Sequence, residues 1–135
     1  MSRNIWVNVG LTFLVSAVLN AIVYYAGLAF GVSYQTDDGP VTIILVVIAS
    51  LFGAGLGSVG YWLLSLIFTR YRVLFIWLAT IVGVISMAGP WFAASDLPTM
   101  GFLGLMHVVS VLVMTWYLGV WTPRYVTPES TIVAS

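Results

Sequence analysis

The chain has 135 residues, of which 61% are hydrophobic and only 6% charged, with a formal net charge of zero and a mean hydropathy of +1.11. Soluble domains carry roughly a quarter charged residues, so this composition excludes an ordinary water-soluble fold and points to an integral membrane protein. Having neither cysteine nor lysine, the chain has no thiolate chemistry, no thiolate metal site, no c-type haem attachment and no Schiff-base cofactor, and without a basic run it is not expected to bind nucleic acid.

Four uncharged apolar stretches follow one another, at residues 5–32, 41–69, 73–95 and 97–122. Each exceeds the roughly 20 residues needed to cross about 30 Å of hydrocarbon. Besides the first four residues and short connections they leave a tail at 123–135, and no room for a separate soluble domain. The expected fold is all-α: a single transmembrane domain of four helices in an antiparallel up-down bundle.

The first stretch is far longer than the roughly 7–15-residue core of a secretory signal, and it is expected to remain as a helix. It presents a face of Gly10, Ala17, Asn20, Ala21, Tyr24, Gly27 and Gly31. A polar connection ending Asp37-Asp38-Gly39-Pro40 stops it, and the proline suits the opening of the next helix. In the second stretch Ser50, Gly53, Ala54, Gly57, Ser58, Gly60 and Ser65 fall within about half of the helix at 100° per residue. Lipid is as apolar as leucine, so such small residues mark seams where helices approach closely. Gly53, Ala54, Gly57, Ser58 and Gly60 are therefore assigned to helix packing, within the bundle, in a homodimer, or against another subunit.

A very short connection, Thr69-Arg70-Tyr71-Arg72, leads to the third stretch, where Pro90 is expected to kink or fray the last turn. Ser95 or Asp96 then suits an N-cap, with Pro98 in the first turn of the fourth helix. There Gly104, His107, Val111, Met114 and Leu118 alternate three and four residues apart, the seam of a left-handed bundle, and Gly104 joins the packing residues.

Four crossings put Arg3, Arg70, Arg72 and Arg124 on one side and Asp37, Asp38 and Asp96 on the other. Arginine-rich loops stay inside, so the expectation is a multi-pass protein of a cell inner membrane with both termini cytoplasmic. No carboxylate falls within any stretch, which weighs against transport and against a proton relay.

Two deep polar residues stand out. Asn20 lies about 2 Å and His107 about 4 Å from the middle of their helices, both toward the aspartate side. The first and fourth helices of such a bundle are neighbours, so the two are predicted within hydrogen-bonding reach, directly or through water. An intramembrane ionisable residue is a functional candidate by default. His107 is accordingly read either as a neutral imidazole bonded to Asn20, a hydroxyl such as Ser16, or a carbonyl, or as a ligand-binding residue, with space for a ring beside Gly104.

The segments Leu19-Asn20, Gly53-Ala54-Gly55-Leu56-Gly57, Gly89-Pro90 and Leu105-Met106-His107-Val108-Val109 resemble a family of four-helix bacterial membrane proteins known only as a domain of unknown function. That resemblance implies a fold and no activity. The expected function is non-catalytic: an accessory or scaffolding subunit that contacts the lipid bilayer and packs against other membrane subunits. The alternative is a binding module holding a haem, a chlorophyll-type pigment, a quinone or a lipid near His107 and Asn20, although nothing in the sequence requires a cofactor or metal.

Overall fold

Inside a bilayer the backbone must satisfy its own hydrogen bonds, so apolar stretches of this length fold as helices. The computed structural model describes residues 5–122; the tail at 123–135, Arg3 and Arg124 lie outside them. Among the described residues four helices are long and apolar enough to cross a membrane, Ile5–Ala29, Ile43–Ile67, Tyr71–Ala93 and Leu97–Val120. In order the elements are α1 (Ile5–Ala29), strands β1 (Gln35–Thr36) and β2 (Gly39–Pro40), α2 (Ile43–Ile67), α3 (Tyr71–Ser86), α4 (Ala88–Ala93), α5 (Leu97–Met114) and a π-helical turn (Thr115–Val120). Their outward faces carry large apolar side chains, among them Leu14, Phe52, Trp77 and Leu112, as contact with lipid requires.

Helix ends follow local chemistry. The first apolar stretch runs on to Val32, yet α1 ends at Ala29 because Gly31 takes a left-handed φ of 81°. The amide of Val32 then bonds the Gly27 carbonyl (2.9 Å) and that of Gly31 the Leu28 carbonyl (3.0 Å), a Schellman cap. The Thr42 hydroxyl caps α2 by accepting from the Leu45 amide at 3.4 Å. Asp96 caps α5, accepting from the Thr99 amide at 2.6 Å and from the Ser33 hydroxyl at 2.9 Å. Chiefly that backbone amide holds the Asp96 carboxyl below its ordinary range. The third crossing is broken at Met87, one turn before Pro90, which has no N–H to donate and whose ring crowds the carbonyl of Ser86.

The 33–40 connection is more ordered than a plain turn. Gln35 pairs with Pro40 and Thr36 with Gly39, whose φ of 118° suits a residue without a side chain. The hairpin is also tied to the end of α4, where the Asp37 amide bonds the Ala93 carbonyl and the Ser95 amide the Gln35 carbonyl, each at 3.0 Å.

Two apolar clusters occupy opposite ends. At the aspartate-bearing end Tyr24, Val32, Tyr34, Val46 and Met106 come together from α1, its following loop, α2 and α5. At the end bearing Arg70 and Arg72, Tyr61, Tyr71, Phe75, Ala79 and Leu118 join α2, α3 and the π-turn. The second cluster contains α3 and the first does not. α3 therefore closes the bundle at one end only, and this positions the site.

Candidate functional site

Between the clusters lies a cavity of about 500 Å³, walled by α1, α2, α3 and α5. It is lined mostly by apolar side chains, and its wall includes the exposed Leu45 and Leu56 of α2 and Leu78 and Val82 of α3, so it opens between these two helices. Polar side chains break the apolar lining: Ser16 and Asn20 from α1, Ser50 from α2, His107 and Ser110 from α5, and Ser86 from α3, whose hydroxyl is spent on the Gly83 carbonyl of its own helix.

Asn20 is 3% exposed. Its Nδ2 donates to the Ser50 hydroxyl and to the Ser110 hydroxyl, both at 2.8 Å. Ser50 in turn donates to the Val46 carbonyl at 2.7 Å, so it can only accept from Asn20, and this fixes which way the amide points. Oδ1 is then buried with no partner. A buried acceptor left unmade costs about 1–3 kcal/mol, and such groups in native proteins call for an explanation. Ser16, 1% exposed, lines the same space, and its hydroxyl makes no hydrogen bond among the described residues.

His107 is half-buried and places Nδ1 2.9 Å from the Leu103 carbonyl one turn back. A carbonyl only accepts, so Nδ1 carries the hydrogen, and in the neutral ring Nε2 keeps its lone pair. Asn20 and His107 thus line one cavity, as neighbours on α1 and α5, but no direct hydrogen bond joins them. Both hydrogens of the Asn20 amide are taken by serine hydroxyls, and the imidazole N–H is spent on its own helix. Ser50 and Ser110 supply the partners that the sequence reading did not assign to Asn20. Ser110 was legible as the residue one turn beyond His107, and Ser50 lay on the small-residue face of α2.

The packing residues divide. Ala54 is buried, and a side chain on Gly57 would strike Met114. Gly53 and Gly60, by contrast, face open space and line the cavity. Ser58 donates to the Ala54 carbonyl of its own helix at 2.8 Å. The space expected beside Gly104 is filled, since a Cβ there would lie 2.9 Å from the terminal methyl of Met87. Among the described residues no three His, Cys, Asp or Glu side chains group as metal ligands. At the wall of this apolar chamber Asn20 Oδ1 and His107 Nε2 can accept hydrogen bonds, and the Ser16 and Ser110 hydroxyls can donate them.

The chain belongs to a family of unknown function (DUF6069), whose model matches residues 1–121. No curated protein and no solved structure matches it significantly.

Proposed function

We propose that the chain is a membrane-embedded binding module that holds a small apolar molecule in the cavity between α2 and α3. The observation that carries this reading is the unpartnered carbonyl of Asn20, buried at the wall of a chamber large enough for a small organic molecule. The four helices are read as an antiparallel up-down bundle, which the short connections and the bond from Asn8 at the start of α1 to Thr122 beyond the π-turn support. The sorting of arginines from aspartates supports cytoplasmic termini and a bacterial inner-membrane location.

Native mass spectrometry of the full chain in nanodiscs tests the binding reading. Wild type is expected to retain a small molecule that the cavity-filling variant Gly53→Phe loses at unchanged thermal stability; equal occupancy in both counts against it. A second reading, the accessory subunit, is favoured by the bare backbone at Gly53 and Gly60, against which a partner's helix would pack. A stoichiometric second polypeptide on wild type, displaced by Gly53→Phe, supports that reading instead.

A further inference from the structure

Resting on the binding reading, we infer that the cavity selects an uncharged molecule with an apolar body and a hydroxyl group that donates a hydrogen bond to Asn20 Oδ1. The wall contains no acidic side chain and no lysine or arginine, so a charged group placed there would be buried without a partner. The two carboxylates of a haem would find no cation. The N–H donors on this wall are also spent. Nδ2 of Asn20 is fully used by Ser50 and Ser110, and Nδ1 of His107 by Leu103. The groups left over on the wall are the acceptors Asn20 Oδ1 and His107 Nε2 and the hydroxyl hydrogens of Ser16 and Ser110, and among them Oδ1 is the buried acceptor with no partner. A ligand that can only accept, such as a quinone, leaves Oδ1 as orphaned as before. A ligand that donates removes that deficit.

The mouth between Leu45 and Leu56 on one side and Leu78 and Val82 on the other is apolar and exposed. The molecule therefore enters sideways from the acyl region of the bilayer, with its hydroxyl leading toward α1. Two sources carry this chemistry, an aliphatic lipid alcohol and a reduced aromatic ring with a phenolic hydroxyl.

The discriminating change is made on the ligand, so that folding is not in question. Wild-type full-length protein in nanodiscs is offered 1-dodecanol or 4-nonylphenol, each against its own methyl ether, and occupancy is read by native mass spectrometry. The methyl ether keeps the apolar body and removes the donor. At least one hydroxyl compound is expected to bind about tenfold or more better than its ether, the worth of one ordinary hydrogen bond to a buried acceptor. The pair showing the larger ratio identifies the source. In Asn20→Leu the ratio is expected to collapse toward one. Equal binding of both alcohols and their ethers to wild type, with all four lost in Gly53→Phe, overturns the donor requirement and leaves the binding reading intact. No binding of any of the four overturns both, and a ratio that persists in Asn20→Leu overturns the role of Asn20.

Discussion

Tyr34 lays its phenol over the backbone of Gly27: a Cβ added to that glycine would fall within the space of the tyrosine hydroxyl and 3.0 Å from the Phe102 ring. Tyr34 is 1% exposed, stacks on Tyr24 with ring centroids 4.6 Å apart, and donates to the Tyr24 carbonyl at 3.1 Å. It does so from a left-handed φ of 52°, which a bulky residue adopts only where its surroundings hold it.

Gly27→Ala is therefore expected to destabilise the protein by about 1–3 kcal/mol, the usual range for overpacking a filled site. Gly10→Ala, on the same helix but facing open space, should be neutral or stabilising by up to about 1 kcal/mol. Thermal unfolding in detergent compares them; equal melting temperatures would remove the Tyr34 clasp from the account.

The same tyrosine gives the protein an alkaline limit. Burial disfavours the phenolate, and nearby Tyr24 adds to the effect, so the Tyr34 hydroxyl is pushed up to about 12 from an ordinary value of 10.0. The folded form holds its proton where the unfolded chain has released it. This contribution is complete below pH 10 and is lost as pH rises toward 12. Because the chain has no lysine, melts between about pH 9 and 11 report mainly tyrosines. Tyr34→Phe is expected to flatten the slope in that window.

Thr122 links the two ends of the described chain. It accepts from Asn8 Nδ2 at 3.1 Å and donates to the Tyr117 carbonyl at 2.9 Å, with both residues buried. Thr122→Val keeps the shape and leaves the Asn8 amide without an acceptor, at a cost of about 1–3 kcal/mol. Amide exchange in the π-turn should rise in parallel; exchange unchanged in Thr115–Val120 would show that the turn holds without the clasp.

Two glycines test how neighbours yield. A side chain at Gly83 would meet the β-branched Val111, and one at Gly57 the thioether of Met114. Valine has few rotamers to retreat into, whereas methionine is flexible. Gly83→Ala is expected to cost about 1–3 kcal/mol and Gly57→Ala distinctly less, and the reverse order would mean that Met114 is the more tightly held.

Much of the helix layout was legible because composition alone identifies the solvent. In the described chain, Pro90, Pro98 and Asp96 each left a local signature, a missing N–H, a preset φ and a short acceptor, that needs no distant partner to act. The hairpin at 35–40 was not legible, since its stability comes from Ala93 and Ser95, far along the chain. Nor was the fate of Gly104, whose open side could be judged only by knowing that Met87 from the broken third crossing reaches it.

The sequence by itself determined that the chain suits lipid, where four helices are long and apolar enough to span, and that Asn20 is a deep polar residue demanding an explanation, whereas the burial of Asn8, Thr99 and Thr122 and the half-burial of His107 emerged only from the fold. Hydropathy and backbone hydrogen bonding are summed locally, so a linear reading recovers them. Only the tertiary structure decided that Asn20 spends its two hydrogens on Ser50 and Ser110, that His107 turns to its own helix, and that α3 closes the bundle at one end and leaves a chamber between itself and α2. Hydrogen bonds saturate: once two hydroxyls occupy the amide nitrogen, the carbonyl oxygen is left over, and that remainder exists only when three distant segments meet.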